Sequence, residues 1–166
     1  MDNILETAVN LACDAHKDQL YGDQPYETHL RMVTGVLWLF GIVSDEMMAA
    51  GWLHDALEDT KLTKDEIAAQ CGERVAEIVW RVTDEPGANR KERKLKTYPK
   101  TRQDQDALIL KLADRIANVK HCLRTNSGLL SMYRKEHATF QRELRPACTT
   151  TEAAAMWAWL DEHLSS

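Results

Sequence analysis

The segment Gly51-Trp52-Leu53-His54-Asp55-Ala56-Leu57-Glu58-Asp59-Thr60 gathers an imidazole and three carboxylates in a short stretch. At about 100° per residue on a helix, His54, Asp55, Glu58 and Asp59 fall within an arc of roughly 140°. Ala50, Leu53 and Leu57 form the adjacent apolar stripe, so one edge of such a helix packs inward while the next carries the polar groups. Three carboxylates this close repel unless something positive sits among them. A divalent cation would relieve the conflict and would use the imidazole as well. The same spacing also suits a solvated acidic helix end, where Glu58-Asp59-Thr60 merely caps and solubilises, and spacing alone favours that plainer reading.

A second carboxylate stands out at Asp114, in Lys111-Leu112-Ala113-Asp114-Arg115-Ile116-Ala117-Asn118. Leu108, Leu112, Ile116, Val119 and Leu123 make one apolar stripe, and Asp114 and Asn118 lie four apart on the opposite face. That face also holds Ala107, Leu110 and Ala117. A helix apolar on two sides with an Asp/Asn pair between them suggests a polar site cut into a buried element. An exposed Asp paired with Lys111 or Arg115 remains the alternative.

The elements that must position these groups read as helices. Apolar residues at helical spacing predict a first helix from near Asp2 to about Gln19, then a Gly/Pro turn over Tyr21–Pro25 and a second helix to about Phe40. Ser44 caps a third helix that carries Met47, Met48, Ala50, Leu53 and Leu57. Thr63 with Glu66 reads as a capping box opening a shorter helix. Cys71-Gly72 interrupts it, and a further helix runs to about Val82. Asp84-Glu85-Pro86-Gly87 is a turn, Asn89 to Arg102 is basic and helical in part, and 103–124, 129–144 and 151–164 are three more helices. No strand-period alternation, internal repeat or low-complexity linker is present. The expected fold is all-α, one globular helical bundle spanning 1–166.

Composition bounds the function. The chain has 166 residues, 44% of them hydrophobic and 28% charged, with a net charge of −5. The acidic balance argues against a general nucleic-acid coat. Cys13, Cys71, Cys122 and Cys148 form no Cys-x-x-Cys pair and read as thiols in a reducing compartment. The N-terminus lacks the parts of a signal peptide, and the longest uncharged stretch, 32–44, is too short for a spanning helix. A cytoplasmic location is expected, with no membrane partner; homo-oligomerisation is left open.

An ordered set of motifs covers nearly the whole chain: Ala15-His16 with Gln19, Pro25-Tyr26-Glu27-Thr28-His29, Leu53-His54-Asp55 with Glu58-Asp59-Thr60, Val82-Thr83, and Lys111-Leu112-Ala113-Asp114-Arg115 with Asn118. In these the chain resembles the HD-domain phosphohydrolases, most closely the Rel/SpoT-type (p)ppGpp hydrolase domain and its stand-alone small relatives. The resemblance implies a divalent metal, usually manganese, held at His29, His54, Asp55 and Asp114. It implies that Glu58 and Asp59 assist the attacking water, that Asn118 and Tyr133 lie beside a phosphorylated nucleotide, and that Arg90 is the matching basic residue. The implied reaction removes the 3′-pyrophosphate of an alarmone nucleotide; no synthetase region is expected.

The pattern departs from the family between Gln19 and Pro25, where Leu20-Tyr21-Gly22-Asp23-Gln24 carries no Lys or Arg, and at Leu30, where Pro is common. From Arg90 to Arg102, seven Lys or Arg and one Glu supply a compensating basic segment, with Arg90, Lys91, Arg93 and Lys94 its densest part. Arg90 and Lys94 are the expected substrate contacts. Two alternatives stay open: an HD phosphohydrolase acting on a nucleoside monophosphate or a dinucleotide 2′-phosphate, and a catalytically silent nucleotide-binding module.

Overall fold

Ten α-helices and one small hairpin make up residues 3–165, the part described by this computed structural model. They are α1 (Ile4–Ala15), α2 (Glu27–Leu39), α3 (Asp45–Leu53), α4 (Ala56–Asp59), α5 (Lys64–Cys71), α6 (Glu73–Val82), α7 (Arg90–Thr101), α8 (Gln105–Thr125), α9 (Leu129–Leu144) and α10 (Thr151–Leu164). The fold is all-α, as the helical periodicities anticipate; the first helix's expected start near Asp2 lies outside the described residues. Capping side chains set several helix starts. Ser44 accepts from the Met47 N–H, and Thr63 and Glu66 close the reciprocal capping box.

Helix α8 is the central post. Residues 107–113 are all buried, and α2, α6, α9 and α10 pack around it. Helices α1 and α2 both lie against α3, so α2, α3 and α8 meet at one place. Among the described residues no helix is long and apolar enough to cross a membrane. All four cysteines are free.

Three local features differ from the sequence reading. The Tyr21–Pro25 turn is a β-hairpin: β1 (Leu20–Tyr21) pairs antiparallel with β2 (Gln24–Pro25), Tyr21 opposite Gln24. Its strands are too short for alternation to register, and Gly22 at φ +64° supplies the first central residue of the tight turn. The third helix does not run on through Asp59. It ends at Leu53, Asp55 takes φ −97° and ψ −2°, and the one-turn α4 follows. Asp tolerates this bridge conformation well, and the break re-aims the side chains of 54–59 away from an ideal helical arc. The basic segment is helical throughout, because Asn89 caps α7 by accepting from the Glu92 N–H.

Asp104 caps the central post. Its carboxylate accepts from the Asp106 and Ala107 N–H groups at 3.0 and 3.1 Å and from Arg74 Nη1 at 2.6 Å. Burial would raise its pKa, but Arg74 and the helix N–H groups outweigh that and hold it below the usual carboxylate value. Asp104→Ala is expected to cost about 1–2 kcal/mol, read as a lower urea midpoint at unchanged slope. A folded pKa below the unfolded one means that the cap stabilises fully above the ordinary Asp range near ~3.9 and fades as pH falls through the folded value. The gap between variant and parent should therefore close in acid; a gap that persists there would refute the assignment.

Candidate functional site

Helix α2 delivers His29 in its first turn, the end of α3 delivers His54, the bend delivers Asp55, and the middle of α8 delivers Asp114. The two histidines are buried, at 2% and 4% exposure. Their Nε2 atoms face each other at 3.2 Å. Asp55 Oδ2 lies 2.9 Å from His54 Nε2 and 3.5 Å from His29 Nε2. Asp114 Oδ1 lies 3.1 Å from His29 Nε2 and 3.7 Å from His54 Nε2.

Whether these groups fit a metal is decided by the tautomer of His54. Its Nδ1 lies 2.8 Å from the Gly51 carbonyl, which can only accept, so Nδ1 carries the proton. In the neutral ring Nε2 is then a lone pair, aimed at a second imidazole nitrogen and at carboxylates. Lone pairs and anions converge in this way only around a positive charge. With protons alone, burial opposes charge on His54, yet Asp55 and Asp114 hold its pKa well above the ordinary imidazole value. The carboxyls of Asp55 and Asp114 are correspondingly held well below theirs, against their burial. Two imidazole nitrogens and two carboxylate oxygens form a donor set suited to a borderline divalent ion, and His29, His54 and Asp55 meet the spacing one requires.

Two tyrosines brace this cluster, and the sequence reading assigned neither. Tyr26 donates its hydroxyl to Asp55 Oδ2 at 2.6 Å and stacks on His16 at 4.7 Å. Tyr21 stacks on His29 at 4.7 Å and donates to Asn118 Oδ1 at 2.7 Å. Only the hairpin's three-dimensional course brings Tyr21 here; Tyr26 was visible solely as part of the Pro-Tyr motif.

The cluster opens into a cleft of about 220 Å³. His29, Asp55, Glu58, Asp59, Arg90, Lys94, Asp114, Asn118 and Tyr133 all line it, with His54 buried behind them. Glu58 and Asp59 are exposed at its edge. Both carboxyls are raised by partial desolvation against the cleft wall, helped by the charge of Asp84 at Glu58 and of Asp55 at Asp59. Opposite stand four cations: Arg90 and Lys94 from α7, Lys111 and Arg115 from α8. Lys111 and Arg115 are buried, at 7% and 5% exposure.

Two acids hold those cations in place. Glu136 accepts from Arg90 Nε at 2.7 Å and from Arg115 Nη1 at 2.9 Å. Asp84 pairs with Lys94 at 2.8 Å and with Lys111 at 3.4 Å. The rest of the basic segment turns elsewhere: Lys96 pairs with Glu92, Lys100 with Glu85, and Arg102 with Glu143. Lys91 faces a neighbouring groove between α7 and α9. The segment thus contributes two cations to the cleft, and α8 contributes two more, Lys111 and Arg115, to which the sequence reading assigned no part beyond possible pairing with an exposed Asp114. Their near-complete burial is a tertiary fact with no local signature.

A family profile described as "HD domain" matches residues 8–140. The chain belongs to the HD domain family. This HD domain protein is 32% identical over 159 residues to the Danio rerio guanosine-3′,5′-bis(diphosphate) 3′-pyrophosphohydrolase MESH1, covering 91% of this chain and 87% of that one. The Xenopus tropicalis protein of the same name is 36% identical over 126 residues, covering 73% and 70%. A solved structure described as a metazoan ortholog of SpoT that hydrolyzes ppGpp superposes with a TM-score of 0.79, at 20% identity and over 98% and 96% of the two chains. At that identity the superposition speaks for the fold.

A bound divalent ion should raise the thermal midpoint, since a ligand at about 100 times its Kd adds about 2.7 kcal/mol to stability. His54→Ala and Asp114→Asn should each abolish that rise in a melting series with and without added ion. An undiminished rise in both variants would place the ion elsewhere.

Proposed function

We propose that this chain is a metal-dependent phosphohydrolase that removes the 3′-pyrophosphate of an alarmone nucleotide such as (p)ppGpp, working in the cytoplasm with Mn2+. The observation that carries the reading is one cleft with two opposed walls: a converged two-histidine, two-carboxylate cluster, and four cations facing it. The first wall suits a divalent ion and the second a highly phosphorylated ligand. The curated relatives' names point to the same substrate.

His29, His54, Asp55 and Asp114 would hold a divalent ion, which would supply Lewis-acid activation of water and of the phosphoryl group. The chain's own residues do the rest. Glu58 and Asp59 stand at the cleft edge with raised carboxyl pKa values, which makes them better proton acceptors than an ordinary carboxylate. The water oxygen adds to phosphorus as one of its protons passes to one of these carboxylates; the bond to the ribose 3′ oxygen breaks, and the carboxylate returns that proton to the leaving oxygen. Arg90, Arg115, Lys94 and Lys111 balance the phosphate charge that the acidic wall repels, the arginines by forked hydrogen bonds and the lysines as point charges. Tyr133 lies under the Arg115 guanidinium at 4.9 Å and under Arg90 at 5.9 Å, which keeps both planes facing the cleft.

One feature favours a second reading, a nucleotide with fewer phosphates. The hairpin side of the cleft brings no cation, and Glu136 and Asp84 already offset part of the charge on the other side. The test is release of pyrophosphate against release of orthophosphate from a panel spanning nucleotides with 3′-pyrophosphate, nucleoside monophosphates and dinucleotide 2′-phosphates, with Mn2+ present. Pyrophosphate released from the 3′-pyrophosphate substrates supports the first reading, and orthophosphate from the others alone supports the second. Glu58→Gln and Asp59→Asn should each lower kcat by about 10²–10⁴-fold while metal binding persists. Near-normal turnover in both would return these residues to helix capping.

Arg90→Gln combined with Lys94→Gln should raise KM for a bis-pyrophosphorylated nucleotide far more than for a nucleoside monophosphate. The increase should shrink as salt is added, because exposed parts of the interaction are screened. Equal effects on both ligands would show that α7 does not read phosphate number.

A further inference from the structure

Metal-binding histidines ordinarily fix their ring plane by donating the other ring nitrogen to a carbonyl or carboxylate. His54 does so through Gly51. His29 does not: its Nδ1 is buried and has no hydrogen-bond partner. What touches the ring instead is aromatic. Tyr21 lies over it at 4.7 Å with an interplanar angle of 24°, and Tyr26 meets it edge-on at 5.7 Å.

The same Tyr21 reaches a second candidate ligand through Asn118. The Asn118 amide donates from Nδ2 to Asp114 Oδ1 at 2.8 Å and to the Asp114 carbonyl at 3.0 Å. Its Oδ1 accepts from the Tyr21 hydroxyl at 2.7 Å. The Asp114 carboxylate and carbonyl can only accept, so they face the amine and turn Oδ1 toward the phenol, whose one proton anchors it there. With the amide reversed, an oxygen would face the Asp114 carboxylate and the amine would face the phenol. The hydroxyl thus anchors the Asn118 amide, and the amide holds the Asp114 carboxylate.

The backbone holds Tyr21 to this task. The residue is the last of β1, locked opposite Gln24 and followed by Gly22 at φ +64°. The hairpin therefore presents the ring to α2 and the hydroxyl to α8 at once.

We propose that Tyr21 is a positioning residue of the metal centre, fixing the His29 ring by stacking and the Asp114 carboxylate through Asn118. The proposal rests on the metal reading above. It predicts separable losses. Tyr21→Phe keeps the ring and removes the donor; its Mn2+ Kd, measured on the full chain without nucleotide by electron paramagnetic resonance titration, should rise roughly 10-fold, within the 10–100-fold range of outer-shell partners. Tyr21→Ala loses both contacts and should weaken binding further. Tyr21→Phe combined with Asn118→Ala should bind no more weakly than Asn118→Ala alone, because the hydroxyl acts through the amide. The melting midpoint of the metal-free protein should be nearly unchanged in Tyr21→Phe, which separates positioning from folding.

Unaltered Mn2+ affinity in Tyr21→Phe would overturn the proposal. So would unaltered affinity with a raised KM, which would make Tyr21 a direct substrate contact. Additive losses in the combined variant would break the chain from Tyr21 through Asn118 to Asp114. If the parent protein itself binds no Mn2+, the metal reading fails first and this inference with it.

Discussion

The hydrogen bond from His54 Nδ1 to the Gly51 carbonyl governs the site. In the neutral ring it leaves the other nitrogen as a lone pair, which points at His29 Nε2 and two carboxylates. An interior that gathers these groups must supply a positive charge or come apart. The helices are arranged to make that gathering unavoidable. Helix α3 stops at Leu53, so the His54 ring folds back on its own last turn. Helix α2 crosses close enough that Gly51 has no room for a side chain: a Cβ there would lie 2.9 Å from Thr34 Cγ2 and 3.0 Å from Leu37 Cδ1. A closer α2–α3 crossing is what carries His29 within reach of His54.

Charge accounts for the second layer. Asp55, Glu58, Asp59 and Asp114 face Arg90, Lys94, Lys111 and Arg115 across a narrow space. Neither wall could be buried alone. Asp84 and Glu136 let the cationic wall exist without a ligand, each serving two cations at once. A carboxylate shared by two guanidinium groups leaves most of their N–H donors free, so preorganisation does not use up the binding capacity. Lys111 is anchored further by the Val82 carbonyl at 2.8 Å, at the end of α6 where a free carbonyl is available.

Much of this was legible in the sequence. The capping residues Ser44 and Thr63 announce their helices because a short polar side chain before an apolar period has few other uses. The spacing of 54–59 flagged a polar cluster, yet spacing could not decide between a solvated end and a site, because the decisive fact is where α2 and α8 stand. The regular arc drawn for those residues was itself an idealisation, since the bend at Asp55 replaces it. Two-residue strands carry no period, so the hairpin and the orientation of Tyr21 were beyond pattern reading. Lys111 and Arg115 look like surface charges on any helical wheel, and only their packing against α6 and α9 makes them interior cations.

These exceptions share one address. The bent backbone at Asp55, the orphaned Nδ1 of His29, the buried Lys111 and Arg115, and the left-handed Gly22 all surround one cleft. Elsewhere the chain mostly follows local rules, with apolar stripes facing inward and helix starts capped, and the exceptions, such as the orphaned Nδ1 of His137 and the left-handed Asn126, are scattered. A sequence under selection for stability alone would fill such a cleft with aliphatic side chains, since isolated buried charges and unpaired imidazole nitrogens cost free energy. Rule-breaking concentrated around one cleft therefore marks where stability yields to chemistry. The central post explains how the bundle tolerates it. Helix α8 carries Lys111, Asp114, Arg115 and Asn118 on one side, while Leu108, Leu112, Ile116 and Val119 stay fully buried on the other. The apolar side anchors the helix in the core, so the polar side is free to hold its strained arrangement without loosening the fold.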